Sequence, residues 1–366
     1  MATKTDYAVP PGSFLREWLD DNNKTQQELG DAAGLSRKHI NELLSGSATL
    51  SPEVAAKLSL VTGYSIKFWL NAEAVFRADA ARLALEEQLA PHASELPPMV
   101  TTFLRKQGFI KGTLREPGRL VWEVLAFFEV GSWKALESRF AAPAAAFRQQ
   151  LAHDVSWPAV ATWLRIGEIE SRRQSREFPR YDAQKLTGIA PELPSLSRLA
   201  PDDYRKQLGE KLAAAGVELL YVPEIPGCRA HGATRWVDGR PRIQLSLRGR
   251  NDSQFWFSLM HEIHHVLNDS HDDLLLQGPA ESKEDPREIA ADAFARTCII
   301  SQRDAARLGS LKSPADAQKF ARELGIAPGL VVGRLQHDGH WTYQQGNQLY
   351  RDIVAVDQYV PPTPSP

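Results

Sequence analysis

Residues 258–269 read SLMHEIHHVLND, with His261, His264 and His265 inside five positions and Glu262 among them. In an α-helix, residues i and i+4 share a face, so His261 and His265 point the same way. Glu262 lies about 100° round from His261, and His264 about 100° from His265 on the other flank. This is the H-E-x-x-H arrangement. Two imidazoles on one face bind zinc, and the adjacent carboxylate is placed to take a proton from an attacking water. By helical phase His264 does not easily join the same tetrahedral set.

A catalytic zinc site ordinarily takes three protein ligands and keeps one position open. The segment 284–296, EDPREIAADAFAR, offers Glu288 and Asp292 at i and i+4. Glu288 is the expected third ligand. Asp292 is expected to accept the N–H of His261 and fix its tautomer. A rival reading exists, because Asp285-Pro286-Arg287-Glu288 is also a helix start with Pro at the first position. The H-E-x-x-H some twenty residues upstream favours the ligand role.

Composition sets the frame. The chain has 366 residues, enough for two to three domains, and a formal charge of −2. No overall basicity points to nucleic acid, so DNA contact must come from a local patch. Two cysteines cannot build a disulfide framework and suggest a reducing cytosol. No apolar run approaches a membrane span, and MATKTDYAVPPG has no apolar core of a signal peptide. The expected compartment is the cytoplasm.

Short helical patterns punctuated by Gly30, Gly34, Gly46 and Gly63 open the chain, and a longer helix over 65–90 stops at Pro91. Residues 99–180 carry Trp, Phe, Leu and Ala at helical spacing, and 172–198 read as a polar, proline-dotted linker. From about 200 the character changes. An amphipathic helix ends at Gly216, and VELLYVPEI, GATRWV and RIQLSL read as strands. Asp238-Gly239 between the last two signals a hairpin. Helices over about 252–267 and 286–300 follow, then two shorter ones, and the tail PPTPSP is expected to be disordered. The fold class read from this is multidomain and mainly α. Its expected divisions are 1–90, a helical middle region 91–200, an α+β domain 201–345 and a tail 346–366.

Residues 25–46, TQQELGDAAGLSRKHINELLSG, place Leu29, Leu35, Ile40, Leu43 and Leu44 on one apolar face across two helices. Thr25 and Ser36 are the expected caps, and Gly34 sits at the bend of a helix-turn-helix. The second helix then exposes Arg37, Lys38, His39 and Asn41 near its start, where a recognition helix meets base edges. Arg and Asn suit bidentate base contacts. Mere packing of a helix pair is the rival reading, and Glu42 on the second helix is unhelpful near phosphate.

Residues 8–80 resemble the XRE-type helix-turn-helix, and specifically the HigA-like antitoxin group. PPGSFLREWL, the 25–46 stretch and TLSPEVAAKLSLVTGYSIKFWLNAEAVF carry the likeness. The resemblance implies a phosphate contact from Gln26, groove-facing Arg37, Lys38 and Asn41 beside the cap Ser36, and a homodimer on a palindromic double-stranded operator. Residues 217–300 resemble the ImmA/IrrE family of zinc metallopeptidases, through GATRW, IQLSLRGRNDSQFWFSLMHEIHHVLND and EIAADAFA, with PGLVVGRLQHDG beyond. That resemblance implies a minimal, thermolysin-like zincin fold, zinc on His261, His265 and Glu288, and Glu262 as general base. His264 stands where the family commonly has a small residue, and Ser301 where it often has Pro. An XRE domain ahead of such a peptidase implies proteolytic relief of repression, with the chain itself, a repressor or a toxin–antitoxin partner as substrate.

Several other residues admit a role. Cys228 could hold the open zinc position as a latency thiolate, with His231 a rival; an ordinary loop cysteine is the plainer reading. Cys298 reads as a core residue, and His337 as an oxyanion stabiliser or a surface histidine. The basic run 165–180 reads as a solvated helix face or a nucleic-acid patch. Against the peptidase stand two rivals: a non-enzymatic repressor or antitoxin whose zincin domain binds a partner, and a metal-sensing switch with structural zinc.

Overall fold

The computed structural model describes residues 7–147, 155–174, 176–246, 251–269, 275–277 and 285–353. The chain is a mainly helical, multidomain protein, and it divides into two compact units. One comprises Met1–Glu95 with Lys111–Val124, the other Leu96–Ile110 with Leu125–Thr363. The 91–200 stretch is thus shared between the units and forms no third body.

In the first unit, five helices run in order: α1 (Pro11–Asp21), α2 (Gln26–Ala33), α3 (Arg37–Ser45), α4 (Pro52–Thr62) and α5 (Ile66–Leu89). Their ends follow from side-chain chemistry. Thr25 accepts from Glu28 N while Glu28 reaches back to Thr25 N, a reciprocal capping box. Ser36, Ser51 and Ser65 cap α3, α4 and α5 in the same manner. Gly34 closes α2 at φ 61°, a left-handed conformation that glycine adopts without a Cβ penalty. Leu15, Leu29, Ile40, Leu43, Leu44, Leu58 and Trp69 form the core. A Cβ on Gly12 of α1 would lie 2.3 Å from Leu43 O, so only glycine lets α1 approach α3 this closely.

Next in the chain come α6 (Pro98–Lys106), in the second unit, α7 (Pro117–Phe128), assigned to the first unit up to Val124 and to the second from Leu125, and then α8 (Trp133–Phe147) and α9 (Trp157–Gln174), in the second. The stretch expected as a linker or extended connection over 172–198 is so only in part: residues 176–182 carry no helix or strand, but those that follow are helical. It contains α10 (Ala183–Ile189) and a 3-10 helix over Ala190–Arg198. Leu186, Ala190, Leu193 and Leu196 recur every three or four residues and enter the core, which the scattered prolines obscured.

After α11 (Pro201–Ala214) come β1 (Glu218–Tyr221), β2 (Gly232–Val237), β3 (Arg240–Leu245) and α12 (Asp252–Asn268). A short strand β4 (Leu275–Gln277), unforeseen in the sequence, completes a sheet of order β1-β3-β2-β4. β1 and β3 are parallel; β2 is antiparallel to both neighbours. Asp238 and Gly239 turn the β2–β3 hairpin, both at positive φ (51° and 73°) as a two-residue primed turn requires. Residues alternate between faces. Thr234 meets α12, whereas Arg235 and Gln244 meet backbone carbonyls of α9. Phe255, Trp256, Leu259, Met260, Ile263 and Val266 embed α12 in the core with Ile243 and Leu245.

Then follow α13 (Pro286–Ile299), α14 (Gln302–Ala305), α15 (Pro314–Leu324) and α16 (Pro328–His337). The expected tail from 346 is in part a strap. Ile353 is buried in the core, Asp352 bridges Asn251, and Arg351 accepts from Asp252 N through its carbonyl and donates its own N–H to Asp252 Oδ1 at the first turn of α12. PPTPSP lies outside the described residues. Among those residues no helix is long and apolar enough to cross a membrane.

Candidate metal centre and nucleic-acid interface

α12 starts where Asn251 accepts from Gln254 N. It brings His261 and His265 to one face, and their Nε2 atoms lie 2.9 Å apart. α13 packs alongside, its start fixed by Asp285 accepting from Arg287 N and by Pro286. Asp285 performs the capping, and Glu288 turns inward. Its carboxylate oxygens lie 3.1 Å from His261 Nε2 and 3.4 Å from His265 Nε2. The three side chains are buried, and their donor atoms gather within 4.8 Å of one another.

The other ring nitrogens have partners of their own. His261 Nδ1 lies 2.9 Å from Asp292 Oδ1, and His265 Nδ1 2.5 Å from Asp269 Oδ2. Carboxylates at both Nδ1 atoms place the ring protons there, which leaves two Nε2 lone pairs and a carboxylate facing one another. Such a set repels itself unless a positive charge sits among it. Burial penalises the His261 imidazolium, yet hydrogen bonds to Asp292 and Glu288 outweigh that penalty and push its pKa up to about 9. The site therefore demands a cation, supplied by a proton or a metal ion. Ligands around zinc stand about 3.3 Å from one another, from bond lengths of about 2.0–2.1 Å in tetrahedral geometry. The separations here match, so the residues fit such an ion.

Glu262 is fully buried on the neighbouring face, and burial pushes its carboxyl above the usual range against the pull of the two imidazoles. Thr234 Oγ1 donates to its Oε2 at 2.7 Å, while Oε1 has no hydrogen-bond partner. His264 is not in the set with His261 and Glu288, although its ring also comes near His265 and Asp269 as a second, less buried group; it packs against Phe294 of α13, and burial lowers its pKa.

Asp269 and Thr234 went unnoticed in the sequence. Asp269 carried a signal, four residues beyond His265 on the same face. Thr234 carried none, because its neighbour is 28 positions away.

The other candidate residues fall elsewhere. Cys228 is buried, and neither it nor His231 joins the gathered donors; the structure gives the latency reading no support. Cys298 is partly buried against the core, its thiol pushed up to about 11 by burial. His337 is exposed at the end of α16 beside Asp338. The run 165–180 is solvated over its later part, where Arg172, Arg173, Arg176 and Arg180 are exposed, whereas its first cation is engaged internally. Arg165 is buried against Phe127 O, Glu129 and Glu168, and Arg172 also pairs with Glu129.

In the first unit, Gly34 and the turn at Leu35-Ser36 set α3 against α2. Ser36, Arg37, Lys38 and Asn41 are exposed at the start of α3 and Gln26 is half-buried at the start of α2. Lys38 has 87% of its side chain in water and a loose pairing with Glu42 at 3.8 Å. His39 is only half-exposed, with Nε2 shielded from solvent, so it contributes less to this surface than its position suggested.

Two helices with a tight turn and an exposed polar start on the second define a DNA-binding helix-turn-helix protein. Residues 15–69 match the helix-turn-helix family. The chain is 39% identical over 80 residues to the uncharacterized HTH-type transcriptional regulator YddM of Escherichia coli (strain K12), a match spanning 20% of this chain and 85% of that protein. The chain belongs to the XRE-type helix-turn-helix family of DNA-binding transcriptional regulators.

Proposed function

We propose that this regulator carries in its C-terminal unit a zinc-dependent endopeptidase of the minimal zincin, ImmA/IrrE-like kind. It would cut itself or a partner repressor and so relieve repression. The observation that carries the reading is the buried set His261, His265 and Glu288 with Glu262 beside it. Purely structural zinc gains nothing from a buried acid with an unpartnered oxygen.

His261, His265 and Glu288 would hold the ion, and Asp292 and Asp269 orient the two imidazoles. Zinc, when bound, supplies Lewis acidity toward oxygen. Glu262 takes a proton from the attacking water as its oxygen bonds to the peptide carbon. Glu262 then returns that proton to the departing amine nitrogen as the C–N bond breaks. In the N-terminal unit, Arg37, Lys38 and Asn41 would read the major groove, with Ser36 and Gln26 against phosphate. A homodimer would span a palindromic operator.

The test is purified protein assayed for zinc and for cleavage of itself or of the protein encoded beside it. Glu262→Gln should keep the metal and lose about 10²–10⁴-fold in rate. Equal cleavage by Glu262→Gln would remove the peptidase reading.

A further inference from the structure

Glu262 would be a poor base if its carboxylate could turn freely. A buried carboxylate held in one geometry loses little to reorganisation when a proton moves. Two residues of β2 form its wall. Thr234 is 1% exposed, and its hydroxyl reaches Glu262 Oε2 at 2.7 Å. Two positions earlier on the same face, a Cβ on Gly232 would stand 2.4 Å from Glu262 Oε1 and 2.9 Å from its Cδ and Cγ. β2 is hydrogen-bonded to β3 on one side and β4 on the other, so its backbone cannot yield easily. Glu262 Oε1 is buried with no partner, whereas Oε2 is spoken for.

We infer that Thr234 and Gly232 are positioning residues for Glu262, and that Oε1 is the oxygen that accepts the proton. The hydroxyl of Thr234 pins Oε2 and fixes the plane of the carboxylate. Gly232 leaves the space in which Oε1 stands. Both act through Glu262, and neither belongs to the set His261, His265 and Glu288. The inference rests on the peptidase reading, since it assigns Glu262 a partner and an orientation for that role.

The experiment uses the full chain loaded with zinc, as parent, Thr234→Val, Thr234→Ser and Gly232→Ala. Zinc affinity should stay within about twofold in all, because none of these side chains is a ligand. Thr234→Val should lower kcat by about tenfold or more with KM near the parent's, the pattern of an interaction used in the transition state. Thr234→Ser keeps a hydroxyl and should recover most of the rate. Gly232→Ala should behave like Thr234→Val. A second readout needs no turnover. Acetohydroxamate is an O,O chelator whose own O–H or N–H can also donate to a carboxylate held in place beside the metal, a charge-assisted bond, so calorimetry should show it binding about tenfold more weakly to Thr234→Val than to the parent. A Thr234→Val enzyme with parental kcat, in a parent that Glu262→Gln inactivates, would overturn the positioning role. A parent that cleaves nothing overturns the peptidase reading instead. The hydroxamate titration then decides the positioning, and equal affinity of parent and Thr234→Val overturns it.

Discussion

Lys38 on α3 leaves 87% of its side chain in water, whereas on α12 His261 leaves 1% and Glu262 none. Both helices start with an Asn or Ser cap and carry polar residues at their working positions. They differ in what covers those residues. The α3 surface acts on a partner through water, where charge is screened beyond about 10 Å at moderate salt. The α12 groups act on one another in a low-dielectric interior, where an unpaired charge is costly and a paired one is held in place. Exposure suits a surface that must meet phosphates and base edges. Burial suits one that must keep donors fixed around an ion.

The sharpest way to break that contrast is to loosen the buried side. Asp292→Ala removes the partner of His261 Nδ1 and should weaken zinc affinity by about 10–100-fold, read by competition with a chelator. An unchanged affinity would mean that burial alone orients the ring. Next comes Asp252, whose carboxyl burial pushes up to about 6 from an ordinary 3.8, although the Arg351 N–H bonds it. The protonated form is favoured by the fold. Its stabilising contribution is complete below about pH 4 and is lost as pH rises through about 6. Asp252→Asn should therefore gain on the parent in unfolding temperature across that window. Parallel curves would count against the assignment.

Smaller effects belong to the exposed side. Arg37→Ala should cost about 1–3 kcal/mol in operator binding and relax specificity, and Lys38→Ala should weaken all sequences alike while reducing the salt slope by about 1. If both leave binding unchanged, α3 is not the reading helix. Smallest is Thr25→Ala, which removes the capping box of α2 and should cost about 1 kcal/mol of stability in thermal unfolding.

Local chemistry made some of this legible. Thr25, Ser36 and the glycine at 34 mark helix ends through bonds spanning three residues, and Asp238-Gly239 marks a hairpin through its own backbone preference. The shared face of His261 and His265 follows from the helical repeat alone. Residues 183–198 look like a linker because their prolines suggest irregular chain, whereas the apolar period of Leu186, Ala190, Leu193 and Leu196 is sustained by a core that spacing alone does not reveal. β4 stayed hidden because three residues bear no alternation to detect, and only pairing with β2 makes them a strand.

The sequence by itself determined the helix-turn-helix, the two imidazoles on one face and the candidate acid beside them, because each depends on spacing within one or two turns. The tertiary structure decided the rest. α13 had to dock on α12 before Glu288 could face both histidines, and β2 had to lie against α12 before Thr234 and Gly232 could confine Glu262. Contacts across tens of residues depend on which faces are buried together, and a spacing rule holds no record of that.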